Sequence, residues 1–167
     1  MKWSFTLLLI IALITFSLPG FSQFTYYIGL EEVTIRKEVS NRNIQNLITD
    51  YSMDGQKVLA WKDLELKTAI IVLFDGYGKG KSCTLIPFTA KDIYEFKEVF
   101  NKNHKIIDAT TWLNTIENKT FKISFQYLKA FSKYGFVITD YDQELTNKKL
   151  DELIKKLKPS ADRLPNY

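Results

Sequence analysis

In "VTIRKEV" (33–39), Val33, Ile35 and Val39 fall on one phase, and Thr34, Arg36 and Glu38 on the other. A period of two predicts a strand with one dry and one wet face. The next stretch, "SNRNIQNLITDY" (40–51), changes period. Ile44, Leu47, Ile48 and Tyr51 stand at i, i+3, i+4 and i+7, which predicts an amphipathic helix capped by Ser40 or Asn41. Asp54-Gly55 marks a turn, and "KVLAW" (57–61) predicts a short strand.

"TAIIVLF" (68–74) is apolar on both phases, as expected of a central strand covered on both sides. "CTLIPF" (83–88) predicts another strand, with Pro87 at its end or on an edge because proline lacks an N–H. Thr89 and Asp92 have capping-box spacing and open a helix with Ile93, Phe96, Val99 and Phe100 on one side. A brief helical turn is expected over Thr111 to Ile116. "TFKISFQYL" (120–128) alternates Phe121, Ile123, Phe125 and Tyr127 with Lys122, Ser124 and Gln126, and "YGFVITDY" (134–141) is its natural antiparallel partner. The last pattern, "TNKKLDELIKKLKP", places Leu150, Leu153, Ile154 and Leu157 in a helical stripe, with lysines near its C-terminus and Pro159 to stop it. These elements predict an α+β fold, mainly an antiparallel sheet of five or six strands with about three helices, and no internal sequence repeat.

The first 22 residues change the picture. Lys2 gives a positive start, Phe5 to Leu18 is apolar apart from Thr6, Thr15 and Ser17, and Pro19-Gly20 ends any helix. Gly20 and Ser22 are the small residues a signal peptidase needs before Gln23, so 1–22 is expected to be a cleaved secretory signal peptide. The apolar run falls short of the roughly 20 residues of a spanning helix. No cysteine stands at the cleavage point for a lipid anchor. The expected product is a soluble domain, 23–167, periplasmic or extracellular, with no membrane span once processed.

A mature chain of about 145 residues suits a single core. With 12 Phe and 9 Tyr it has ample apolar material for one. The whole-chain charge of +4 is mild and its lysines are interspersed with acids, which does not favour a nucleic-acid partner. Cys83, the only cysteine, rules out an intramolecular disulfide, so packing must stabilise an exported fold; burial as a small apolar side chain is the expected state of its thiol.

Gly80-Lys81-Ser82 resembles the end of a nucleotide-binding P-loop. That motif requires glycine five residues before Gly80, where Asp75 stands, and a helix after the serine, where a strand is expected. No nucleotide and no cofactor are therefore expected. A glycine-rich hairpin joining 68–74 to 83–88 explains the stretch, and Gly76, Tyr77, Gly78, Lys79, Gly80 and Lys81 become the candidate binding residues, presented on flexible backbone at a sheet end.

The remaining chemistry is thinner. His104 is the only histidine, which is poor material for a zinc site, and its surroundings, "NKNHKII", look like an exposed polar connection. A Cys83–His104 dyad lacks a local protease signature. "DYDQE" (140–144) has acids at calcium-like alternation but no EF-hand glycine, so capping of the last helix explains them better. No metal is expected. Asn118-Lys119-Thr120 is a glycosylation sequon. Tyr26, Tyr27, Trp61, Tyr77 and Trp112 are the aromatics to watch for an exposed platform.

The expectation is a small exported non-catalytic binding protein, inhibitor- or immunity-like, whose partner is another extracytoplasmic protein. The alternatives are an envelope hydrolase using the strand-end acids Asp75 and Asp140, and a structural component docked through the lysine-rich last helix.

Overall fold

The computed structural model describes residues 27–40, 42–51 and 55–161; the signal-peptide expectation and Tyr26 lie outside them. Among the described residues, three α-helices, α1 (Glu32–Val39), α2 (Ala90–Asn103) and α3 (Tyr141–Ala161), accompany eight strands. The strands are β1 (Ile44–Tyr51), β2 (Lys57–Asp63), β3 (Thr68–Phe74), β4 (Gly80–Pro87), β5 (Lys105–Asp108), β6 (Thr111–Ile116), β7 (Lys119–Leu128) and β8 (Lys133–Asp140). They form one antiparallel sheet in the order β1-β2-β3-β4-β8-β7-β6-β5. The α+β class is as expected, but the sheet has eight strands instead of five or six. Each half is a four-stranded meander preceded by a helix, and the last strands of the two halves, β4 and β8, pair at the centre. The topology therefore repeats although the sequence does not.

Four local expectations are corrected. Residues 33–39 are helical: Ile35 and Val39, one turn apart, are buried, while Val33 is exposed. A window this short satisfies both periods, and Glu32 stabilises the helical one by pairing with Arg36 at i+4 and with Lys57 of β2. Residues 44–51 form a strand with a bulge. The register shifts between Gln45 and Ile48, and Asn46 adopts φ of 55°. One extra residue moves the alternation by one, so the apolar spacing imitates a helix. Thr111–Ile116 is strand β6, whose dry phase is disguised by a buried polar residue, Asn114. Strand β5, read as a loop, is exposed at every residue and forms one edge of the sheet.

The main core lies on the face carrying Leu59, Trp61, Ile70, Val72, Cys83, Leu85, Ile123, Phe136 and Ile138, covered by α1 and α2. Phe96 and Phe100 of α2 pack on Phe136 with ring centroids 5.7 and 5.1 Å apart. Trp112 donates its indole N–H to Asn101 of α2 at 2.8 Å, and Tyr27 meets Trp61 edge-on at 5.5 Å.

The capping box of α2 forms as its spacing predicts: Thr89 Oγ1 accepts the Asp92 N–H, and Asp92 Oδ2 accepts the Thr89 N–H at 2.9 Å. Thr89→Ala should lower stability by about 1 kcal/mol, measurable by urea unfolding. No change would show that packing of Phe96 and Phe100 holds the helix without its cap.

Helix α3 lies against the opposite face. Lys122, on the phase of β7 opposite Ile123, pairs with Glu144 of α3, and Asp142 accepts the Thr120 N–H at 3.0 Å. The helix starts five residues before the predicted Thr146 and continues past Pro159, whose fixed φ is helix-compatible and whose missing N–H removes one bond near the end. Among the described residues no helix is long and apolar enough to cross a membrane.

Candidate functional site

The β3–β4 hairpin is ordered by one carboxylate. Asp75 Oδ1 accepts the N–H groups of Tyr77 and Lys79, each at 2.9 Å, while the Asp75 N–H donates to the Lys79 carbonyl at 2.8 Å. A side chain that satisfies two loop donors holds the turn in one shape. The base is anchored too: Gly80 donates to Leu30 O at 2.8 Å and accepts from Gly29 N at 2.7 Å. The expected flexible loop is thus a braced one. Tyr77 projects from its tip with 91% of its surface exposed.

The three glycines differ in what they do. Gly78 takes φ of 75°, which favours glycine, and Gly80 lies so close to the Tyr27 carbonyl that a Cβ would overlap it. Gly76 faces open space. Gly80→Ala should therefore destabilise by about 1–3 kcal/mol, whereas Gly76→Ala should stay within about 0.5 kcal/mol. Parallel thermal melts check this, and equal losses would refute the bracing of the loop base by Tyr27.

Beside the hairpin runs a trough of about 740 Å³, walled by the loop on one side and by α3 on the other. Its floor is the second face of β4, β8 and β7, where Ser82 stands opposite Thr139 and Thr139 opposite Lys122. Of the predicted loop residues, Gly76, Tyr77, Lys79, Gly80 and Lys81 line it; Gly78 does not. Lys122 holds the Glu144 carboxyl below the usual carboxylate range through a side-chain hydrogen bond, with Lys148 adding to the effect. Thr139 Oγ1 is buried without a hydrogen-bond partner.

Asp75 and Asp140 also border the trough, but both have structural work. Asp75 closes the loop, and Asp140 caps α3 by accepting the Gln143 N–H at 3.0 Å. "DYDQE" is the cap and first turn of α3 instead of a calcium loop, and no group of three or more metal-ligating side chains occurs among the described residues.

His104 is not in the trough. It follows α2, half-buried, with its ring stacked on Phe100 at 5.5 Å, so the exposed connection expected there is corrected. Burial lowers the His104 pKa. The unfolded chain therefore takes up this proton at higher pH than the folded chain. The associated stability is present above the ordinary value of about 6.5 and declines as the pH falls through and below it. His104→Phe should flatten that part of the acid slope in urea melts; an unchanged slope would place the ring in solvent. Cys83 is fully buried on β4, and burial pushes its thiol pKa up, away from nucleophilic reactivity.

Of the singled-out aromatics among the described residues, Tyr77 is exposed, and Tyr27, Trp61 and Trp112 are core. Tyr127, assigned to the core by alternation, is 49% exposed because β7 extends there beyond the buried part of the sheet. The trough residues missed from the sequence include Lys122, Ser124 and Gln126 of β7 and Glu144 and Asn147 of α3. The polar phase of 120–128 signalled the first three, but nothing in it showed which helix would lie opposite. No family model, curated protein or solved structure matches the chain.

Proposed function

We propose that this is a small exported binding protein without catalysis, with the 76–81 hairpin and the adjoining trough as its recognition surface. The observation that carries this reading is the braced loop. It presents Tyr77 and two exposed lysines, Lys79 and Lys81, in a fixed arrangement that needs little further ordering on binding. Tyrosine supplies a large amphipathic contact at low entropic cost, which suits a protein partner in the same compartment. Inhibition of an envelope enzyme is the narrower form of this reading, and a protruding loop is the shape that would enter such an enzyme's cleft.

The hydrolase alternative has one observation in its favour, the shared position of Asp75 and Asp140 at the trough. Against it, both carboxylates are committed to backbone N–H groups, and the only histidine is elsewhere. The test is capture from envelope and secreted extract of the native cells, read by mass spectrometry, with the 23–167 chain and a Lys79→Glu/Lys81→Glu bait. A stoichiometric protein lost with the mutant is the expected result. No partner with either bait, or hydrolysis of an envelope polymer by the purified chain, would reject the proposal.

A further inference from the structure

We infer that the trough takes a short strand of neutral carbohydrate. The inference rests on the trough being a recognition surface and shares Tyr77 with the loop tip, but it does not require a protein partner there. The first observation is charge balance. Lys79, Lys81 and Lys122 line the trough together with Asp75, Asp140 and Glu144, so a polyanion would meet three carboxylates and a polycation three lysines.

The second observation is the idle polar inventory. Ser82, Ser124, Gln126 and Asn147, which carry hydroxyls and amides, line the trough and make no side-chain hydrogen bond to another described residue. Groups of this kind both donate and accept, matching the vicinal hydroxyls of a sugar. An apolar ligand would leave them stranded, at the penalty of unpaired polar groups.

The third observation separates sugar from peptide. The floor is the face of three central strands, β4, β8 and β7, whose main-chain groups are already paired across the sheet. An extended peptide recognised through its backbone needs a free strand edge, and these strands offer none. A sugar ring needs only side-chain hydrogen bonds and an aromatic surface for its C–H face, which exposed Tyr77 provides at the rim. The volume of about 740 Å³ falls within the range of about 300–1,000 Å³ usual for small-ligand sites.

The test is an isotope-edited NMR titration of the secreted form with maltotriose, cellotriose, mannotriose and triacetylchitotriose, beside a heparin tetrasaccharide and trilysine. At least one neutral trisaccharide should shift the Ser82, Ser124 and Gln126 amides saturably. Its affinity should fall about tenfold in Gln126→Ala, an exposed position where folding is not at stake. Absence of shifts with all four neutral sugars at about 10 mM, roughly tenfold above a weak dissociation constant of about 1 mM, would overturn the inference. Binding of only the charged probes would do the same. Cleavage of a bound sugar would preserve the ligand class while rejecting the non-catalytic reading, and loss of the captured protein partner would leave the sugar site standing.

Discussion

Arg42→Ala should lower the unfolding free energy by about 3–5 kcal/mol. Asp63, at the end of β2, is fully buried, and the Arg42 guanidinium lies 2.9 Å from its Oδ2. Its other oxygen accepts the Leu66 N–H at 3.0 Å, so the carboxylate also shapes the β2–β3 turn. Arg42 faces Tyr27 as well. Burial raises the Tyr27 phenol pKa to about 12 despite the opposing pull of that guanidinium. Truncating the arginine strands a charge in the core, whereas removing both partners need not. Urea unfolding of Arg42→Ala and of Arg42→Met/Asp63→Leu separates the two: the double variant should recover much of the loss. A single-variant loss under about 1 kcal/mol would place Asp63 in contact with water.

Phe136→Ala should cost about 3–5 kcal/mol, the usual range for deleting a buried aromatic ring. Phe136 has no exposed surface, and its ring lies 5.0 Å from Phe125, 5.1 Å from Phe100, 5.7 Å from Phe96 and 6.1 Å from Trp112. It stands on β8, the strand that joins the two meanders, opposite Leu85 on one side and Phe125 on the other. A cavity there therefore loosens α2 and both halves of the sheet. Against a typical stability of about 5–15 kcal/mol, this loss should lower the urea midpoint substantially. Tyr134→Ala, two residues away and half exposed, is the control, and only a small loss is expected from it. Similar losses for the two would refute an aromatic core centred on β8.

How much of this was legible depended on whether each rule acts locally. Thr89 and Asp92 are three residues apart and announce their helix. The apolar run at 68–74, the clean alternation at 120–128 and its antiparallel partner within 134–141 each give β-strands. Misreadings arose where a distant neighbour decided. The bulge in β1 is defined by its register against β2, and α1 was favoured by Lys57, which reaches Glu32 from another element. Asn114 breaks the alternation of β6 because polarity and burial part company there. The hairpin at 76–81 is visible as glycines and lysines, but its rigidity comes from Asp75, which the sequence presents as a strand-end acid that breaks the phosphate-loop motif, with nothing to show that its carboxylate accepts two loop N–H groups. The trough could not be read as a unit, although its loop wall at 76–81 and the polar phase of β7 were each visible. It exists because Lys122 and Asp142 hold α3 over the polar phase of β7, a long-range choice invisible to periodicity.

The most direct measurement is amide hydrogen exchange of Tyr77 and Lys79 in the isolated protein, with Asp75→Ala alongside. A preformed recognition loop gives protection at both amides in the wild type and its loss when the Asp75 carboxylate is removed. Exchange at unstructured rates in the wild type would contradict the braced hairpin, and with it the proposal that this protein binds through a surface prepared in advance.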